Sequence, residues 1–182
     1  MRRIRSDETG ISYLSTGHDG APLALCLHGF PDIPRTWAPL TEALLDAGHR
    51  VVSPWLPGYA PSSLEGPFDA PTVTRSVLAL IDELSPEEPI RIVGHDWGAI
   101  VATLALALRP ERFRAAATLA VPHLLTFEAN VERYPAQLRR SAYIGLFQLP
   151  LLSDRIVRLG GFRFIRRLWK TWSPGFLSLI HI

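Results

Sequence analysis

The chain is poor in several residue types. Its 182 residues include one cysteine, one methionine and one lysine, Lys170. A single cysteine excludes an intramolecular disulfide. Cys26 sits in the apolar run Leu23-Ala24-Leu25-Cys26-Leu27 and reads as a buried, inert thiol. With so little lysine, arginine carries the positive charge, and 19 Lys+Arg against 17 Asp+Glu leave a net charge of +2. That is too small a surplus to argue for nucleic acid. An arginine bias of this kind follows a GC-rich genome as readily as a function, so it names no partner. No uninterrupted apolar stretch is long enough to cross a bilayer. The charged start Met1-Arg2-Arg3-Ile4-Arg5-Ser6-Asp7 is not followed by the apolar segment of a signal peptide. No His/Cys/carboxylate cluster has metal-ligand spacing. There is no internal repeat and no low-complexity tract. The expectation is a cytoplasmic protein with no metal, cofactor, nucleic acid or membrane partner.

What is present is a globular composition, 47% hydrophobic and 20% charged, in a chain long enough for one real core. Short strands are expected at Ile11–Ser15, Pro22–Leu27, Arg50–Pro54, Ile90–Val93 and Phe113–Val121. Between them lie helical patterns. Trp37, Leu40, Leu44 and Leu45 share one face before a stop at Gly48, and Val73, Val77, Leu80, Ile81 and Leu84 share another. Ile100–Leu108 is a third helix, small and apolar enough to lie on a sheet. Strand and helix in alternation imply an α/β fold with a mostly parallel sheet flanked by helices. Right-handed crossovers then bring the loops His28–Pro31, Pro57–Ser63 and Gly94–Gly98 to one sheet edge, where such folds bind ligands. After Pro122 the composition changes. Ala136–Trp172 has helical periodicity and more arginine, and reads as a helical cap.

Gly94-His95-Asp96-Trp97-Gly98 carries the chemistry. A small residue on either side of a central one, between a buried strand and a helix, is the pattern of a nucleophile elbow. A serine there needs a base to become nucleophilic, whereas an aspartate side chain is ordinarily ionised at neutral pH. A carboxylate can displace a leaving group from saturated carbon and form an ester to the enzyme, which water must then hydrolyse. That hydrolysis calls for an oxyanion hole, and the natural donors are the N–H of Trp97 and one from His28-Gly29-Phe30-Pro31. The plainer alternative is that Asp96 merely caps the following helix.

Together, His28-Gly29-Phe30-Pro31 and Gly94-His95-Asp96-Trp97-Gly98-Ala99 resemble the epoxide hydrolase and haloalkane dehalogenase branch of the α/β-hydrolase fold. The resemblance runs from Ile11 to Trp172. It implies the N-terminal half of an α/β-hydrolase core over residues 1–123 and the start of a helical cap over 124–176. It also implies Asp96 as nucleophile, Phe30 and Trp97 at the oxyanion and substrate, and a small apolar substrate. Within the branch, Phe30 offers no side-chain donor for a halide, although Trp97 could supply one. Tyr143-Ile144-Gly145-Leu146-Phe147-Gln148-Leu149-Pro150 resembles the cap segment in which an epoxide hydrolase tyrosine protonates the epoxide oxygen. An alkoxide is a poor leaving group and needs such an acid. Tyr143 also reads as ordinary packing on a cap helix. Some dehalogenases take an acid from just after the strand that follows the elbow helix. Here Phe113 to Phe127 holds no carboxylate, and Glu128 is the first.

Other candidates carry less. His95 should point away from the site, His18 and His49 fall in loops, and the family's base comes later than His123. Arg155, Arg158, Arg163, Arg166 and Arg167 have the spacing of a solvated helix face. The resemblance also implies further strands bearing an acid and a histidine. The late histidine here is His181, within Leu177-Ser178-Leu179-Ile180-His181-Ile182. Those six residues match one reading frame of a transposase adaptor, CTGTCTCTTATACACATC. A C-terminal truncation with a non-native tail at 177–182 is therefore expected, and with it an exposed edge at Phe113–Val121 prone to aggregation. Three readings stand: an epoxide hydrolase, a haloalkane or haloacid dehalogenase, and a non-catalytic, hydrolase-like protein that binds a small ligand. Sequencing the coding DNA checks the tail: codons unlike the adaptor, followed by a genuine stop, would contradict it.

Overall fold

Leu23-Ala24-Leu25-Cys26-Leu27 has no polar side chain, and it forms a strand buried throughout, β3 (Leu23–Leu27). In the computed structural model, which describes residues 2–5, 9–122, 126, 142–147, 149 and 152–172, three strands run parallel to it. These are β4 (Arg50–Pro54), β5 (Ile90–His95) and β6 (Phe113–Leu119), in the order β4-β3-β5-β6. β2 (Ser12–Thr16) lies antiparallel beside β4, and β1 (Arg2–Arg5) lies antiparallel beside β2 at the edge. The expected α/β class and mostly parallel sheet are found. β1 was not anticipated. An arginine-rich segment shows no apolar alternation to read, and its place comes from backbone pairing with β2.

Each helix forms where an apolar stripe recurs at helical spacing. α1 (Ala38–Asp46) follows a 3₁₀ turn at Pro34–Trp37 and ends at Gly48, whose φ of 79° is open to glycine. α2 (Ala70–Leu84) starts at Asp69, whose side chain accepts the Thr72 N–H at 3.0 Å. Its Val73, Val77, Leu80 and Ile81 are fully buried, the stripe expected from sequence. α3 (Trp97–Leu108) is longer than Ile100–Leu108. It begins directly after Asp96, so the turn that sequence placed over Gly94–Gly98 is made by one residue.

The two faces of the sheet are covered differently. Leu25, Leu27, Val52, Ile90 and Ile92 pack with α2 and α3 residues such as Val77, Leu80, Val101 and Ala105. Cys26, Val51 and Val93 pack with Trp37, Leu40, Leu44 and Leu45 of the α1 side. Burial pushes the Cys26 thiol up to about 12, which keeps it neutral and inert. From β3 the chain crosses by α1 to β4 on one side, then by α2 to β5 on the other. The strand order therefore reverses at β3, and the ends of β3 and β5 flank the crevice that such a reversal opens.

β6 differs from β3. Its residues Arg114–Leu119 are exposed, and among the described residues no strand pairs with its outer edge. Ala120, at φ 65°, ends it short of the expected Val121. Its start is clamped by Arg112. The guanidinium contacts Asp82 Oδ1 at 3.2 Å and donates to the carbonyls of Ser85 and Pro86. That ties the end of α2 to the sheet.

The chain divides into two units, Met1–Val121 and Pro122–Ile182. The second contains α4 (Ala142–Phe147) and α5 (Leu152–Trp172), which is interrupted at Leu159–Phe162 where Gly160, Gly161 and Phe162 have positive φ. Arg155, Arg158, Arg163, Arg166 and Arg167 are exposed. Among the described residues no helix is long and apolar enough to cross a membrane. His123, Glu128, Gln148, Pro150 and residues 173–182, His181 included, lie outside the described residues.

Arg112→Ala should lower stability by about 2 kcal/mol, because it removes two part-buried hydrogen bonds to backbone carbonyls as well as an ion pair. Urea denaturation checks this, and a loss under about 0.5 kcal/mol, the usual surface effect, would contradict it.

Candidate active site

Two loops meet at the crevice. The residues after β3 are His28, Gly29 and Phe30, and the residue after β5 is Asp96. Asp96 has φ 50° and ψ −117°, a conformation that L residues rarely adopt and that costs about 1–3 kcal/mol where the surroundings enforce it. Close packing enforces it here. A Cβ on Gly94 would overlap the Gly98 carbonyl, and one on Gly98 would overlap the carbonyls of Leu27 and His28. A Cβ on Gly29 would lie 2.5 Å from that of Asp96. Three glycines thus let three pieces of backbone converge where any side chain would hold them apart.

Asp96 occupies the N-cap position of α3, but its side chain makes no capping hydrogen bond. The plainer reading of Asp96 as a cap therefore fails on geometry. Instead its Oδ2 accepts the Phe30 N–H at 2.9 Å. Its own N–H donates to the Leu119 carbonyl at 3.1 Å, which ties the turn to β6. Helical geometry leaves the N–H of Trp97, the first residue of α3, without an intrahelical acceptor. Its half-buried ring lies against the core. Phe30 and Trp97 thus both stand beside Asp96. The Phe30–Pro31 peptide is cis.

Tyr143 belongs to the second unit. It is half-buried in α4, its ring edge-on to Phe147 at 5.7 Å and tilted against Trp172 at 5.0 Å. His18 and His49 are loop residues, each with its Nδ1 turned to nearby backbone. His95 is half-buried at the end of β5.

Two residues were not singled out from sequence. His28 is fully buried, and Tyr59, in the loop after β4, sets its ring edge-on to His28 at 4.7 Å. Burial, with the Asp96 and Asp32 charges, pushes the Tyr59 phenol well above its ordinary value and holds it neutral. The available signal was their position in two of the three loops that converge on this edge. Among the described residues no group of three or more His, Cys, Asp or Glu is placed to hold a metal ion.

Gly98→Ala should cost about 2 kcal/mol, as overpacking against rigid backbone does. Gly20→Ala, in an open loop, should stay within about 0.5 kcal/mol. Chemical denaturation of both variants checks the contrast, and equal effects would contradict the account of the elbow.

Known proteins resemble this chain over most of its length. The alpha/beta hydrolase fold family matches residues 22–170. An epoxide hydrolase of Caballeronia sordidicola is 38% identical over 153 residues, covering 81% of this chain and 46% of that protein. Epoxide hydrolase A of Mycobacterium tuberculosis is 32% identical over 177 residues, covering 92% of this chain and 53% of that protein. The crystal structure of epoxide hydrolase A from Mycobacterium thermoresistibile superposes with a TM-score of 0.68 at 30% identity, over 86% of this chain and 50% of that one. This chain spans about half the length of the relatives it matches. With the family's match extending from β3 into α5, the chain belongs to the α/β-hydrolase fold family.

Proposed function

We propose that this chain carries the nucleophilic half of an epoxide hydrolase. The observation that carries the reading is the Asp96 carboxylate, raised on a strained elbow with one oxygen held by the Phe30 amide and not spent on capping its helix. The names of the relatives point the same way.

In this reading Oδ2 is fixed by the Phe30 N–H, and Oδ1 attacks a ring carbon of a small apolar epoxide. The ring C–O bond breaks, and the ring oxygen takes a proton from the Tyr143 hydroxyl. The product is a hydroxyalkyl ester of Asp96. An acid is needed because an alkoxide leaves poorly without one, and Tyr143 is the candidate. Hydrolysis of the ester passes through a tetrahedral carbon whose oxyanion would receive the Phe30 and Trp97 N–H groups. That step also needs a base for the attacking water, and none of the described residues is assigned that part. The 182-residue chain is therefore expected to be alkylated once, without sustained release of diol.

Phe30 weighs against a halide, since its side chain has no hydrogen-bond donor. Incubation with styrene oxide, and separately with 1-bromobutane, followed by intact and peptide mass analysis, tests the proposal. One added epoxide mass is expected, mapped to Asp96 and absent from Asp96→Asn. Tyr143→Phe should slow its appearance by about a hundredfold. Alkylation by the bromide but not the epoxide would make the site a dehalogenase. Reaction with neither would favour a site that only binds its ligand.

A further inference from the structure

His28 is fully buried between the two loops, and both its ring nitrogens are engaged. Nδ1 lies 2.9 Å from the Gly29 carbonyl oxygen, and Nε2 lies 3.2 Å from the Leu56 N–H. The two partners fix the tautomer. A carbonyl only accepts, so Nδ1 carries the proton, and a backbone amide only donates, so Nε2 does not. The Gly29 carbonyl belongs to the same peptide group as the Phe30 N–H, the group that grips Asp96 Oδ2 at 2.9 Å. That carbonyl also accepts the Asp32 N–H at 3.0 Å. Two donors on its oxygen orient the peptide plane and polarise its N–H, because hydrogen bonds in series strengthen one another.

We propose that His28, as the neutral Nδ1–H tautomer, is the positioning residue of this site. It relays a line of hydrogen bonds from the Leu56 amide, through the imidazole and the Gly29–Phe30 peptide, to the Asp96 carboxylate. It never touches substrate. It aims the amide that does, and it anchors that amide to the loop after β4. The catalytic part of this inference rests on the proposed function above, but the relay itself does not.

Protonation of the ring breaks the relay, since an imidazolium would set an N–H against the Leu56 N–H. Burial lowers the basicity of His28 below the ordinary value of 6.5, while the Gly29 carbonyl and the Asp32 charge push it back up. The titratable groups facing the ring are Asp32 and the neutral Tyr59 phenol, with Asp96 beyond the peptide. Because the folded value is depressed, this contribution to stability is fully present above pH 6.5. It falls as the pH drops from there through the folded value.

The test is NMR on the isotope-labelled 182-residue chain, joined to mass analysis. Expected are a protonated Nδ1 and a bare Nε2, a titration midpoint below 6.5, and Leu56 and Phe30 amide signals that move together at that midpoint. His28→Phe, which removes both bonds, should lower hydrogen-exchange protection at Phe30, and the rate of styrene oxide addition to Asp96, each about tenfold, the equivalent of one ordinary hydrogen bond. His28→Asn keeps a donor for Gly29 and should recover most of both. An Nε2–H tautomer in the wild-type chain, or a Phe30 amide unmoved through the titration, would overturn the proposal. So would a folded His28→Phe with unchanged protection. If His28→Phe does not fold, the wild-type titration and His28→Asn still decide. If the wild-type chain takes no epoxide, the functional reading fails while the NMR measurements judge His28 on their own.

Discussion

The first turn of α3 lies directly against the backbone of Leu27 and His28, and only the missing side chain of Gly98 lets it do so. Everything at this sheet edge depends on that approach. It brings the end of β3 and the start of α3 close enough for the Phe30 amide to reach Asp96. It forces the reversal of direction between β5 and α3 onto a single residue, which takes a conformation it would otherwise avoid. Gly94 and Gly29 repeat the device from the other two directions. The Asp96 carboxylate is held by the surrounding backbone more than by any partner side chain.

Much of this was legible in the sequence, for identifiable reasons. A run such as Leu23–Leu27 has few alternatives to a buried central strand, and the stripe Val73, Val77, Leu80, Ile81 has few alternatives to a helix on a sheet. The paired glycines around Asp96 announced a backbone too crowded for side chains. β1 was invisible because its pairing is a property of the backbone and not of side-chain pattern. The turn was read as five residues because periodicity cannot tell a loop from the first turn of a helix. Neither composition nor spacing could say that both nitrogens of His28 would find backbone partners. The Nε2 contact depends on Leu56, which is 28 residues away in the chain.

The two units differ in how they are held. The first has a hydrophobic cluster and a helix layer on each face of its sheet. The described helices of the second rest on aromatic contacts, with Tyr143, Phe147, Phe164 and Trp172 linked ring to ring. The glycine pair inside α5 interrupts what sequence periodicity reads as one helical stretch. Tyr143 is thus a packing residue by its contacts, and the part of acid proposed for it is compatible with that packing. A phenol buries its ring while leaving its hydroxyl for chemistry.

The hydrogen bond from Phe30 to Asp96 joins residues 66 positions apart. Between them lie a 3₁₀ turn, two α-helices, the strands β4 and β5, and the crossover that carries the chain past β3. Contacts this distant form late, after the entropy of closing the intervening chain has been spent. A half-folded chain can have Asp96, and even its strand, without a directed carboxylate. On the proposed function, reactivity at Asp96 should therefore appear with the final docking of β5 and not before. A nascent or misfolded chain would then be chemically quiet toward the electrophiles around it, and the fold would control when the proposed chemistry of Asp96 becomes available.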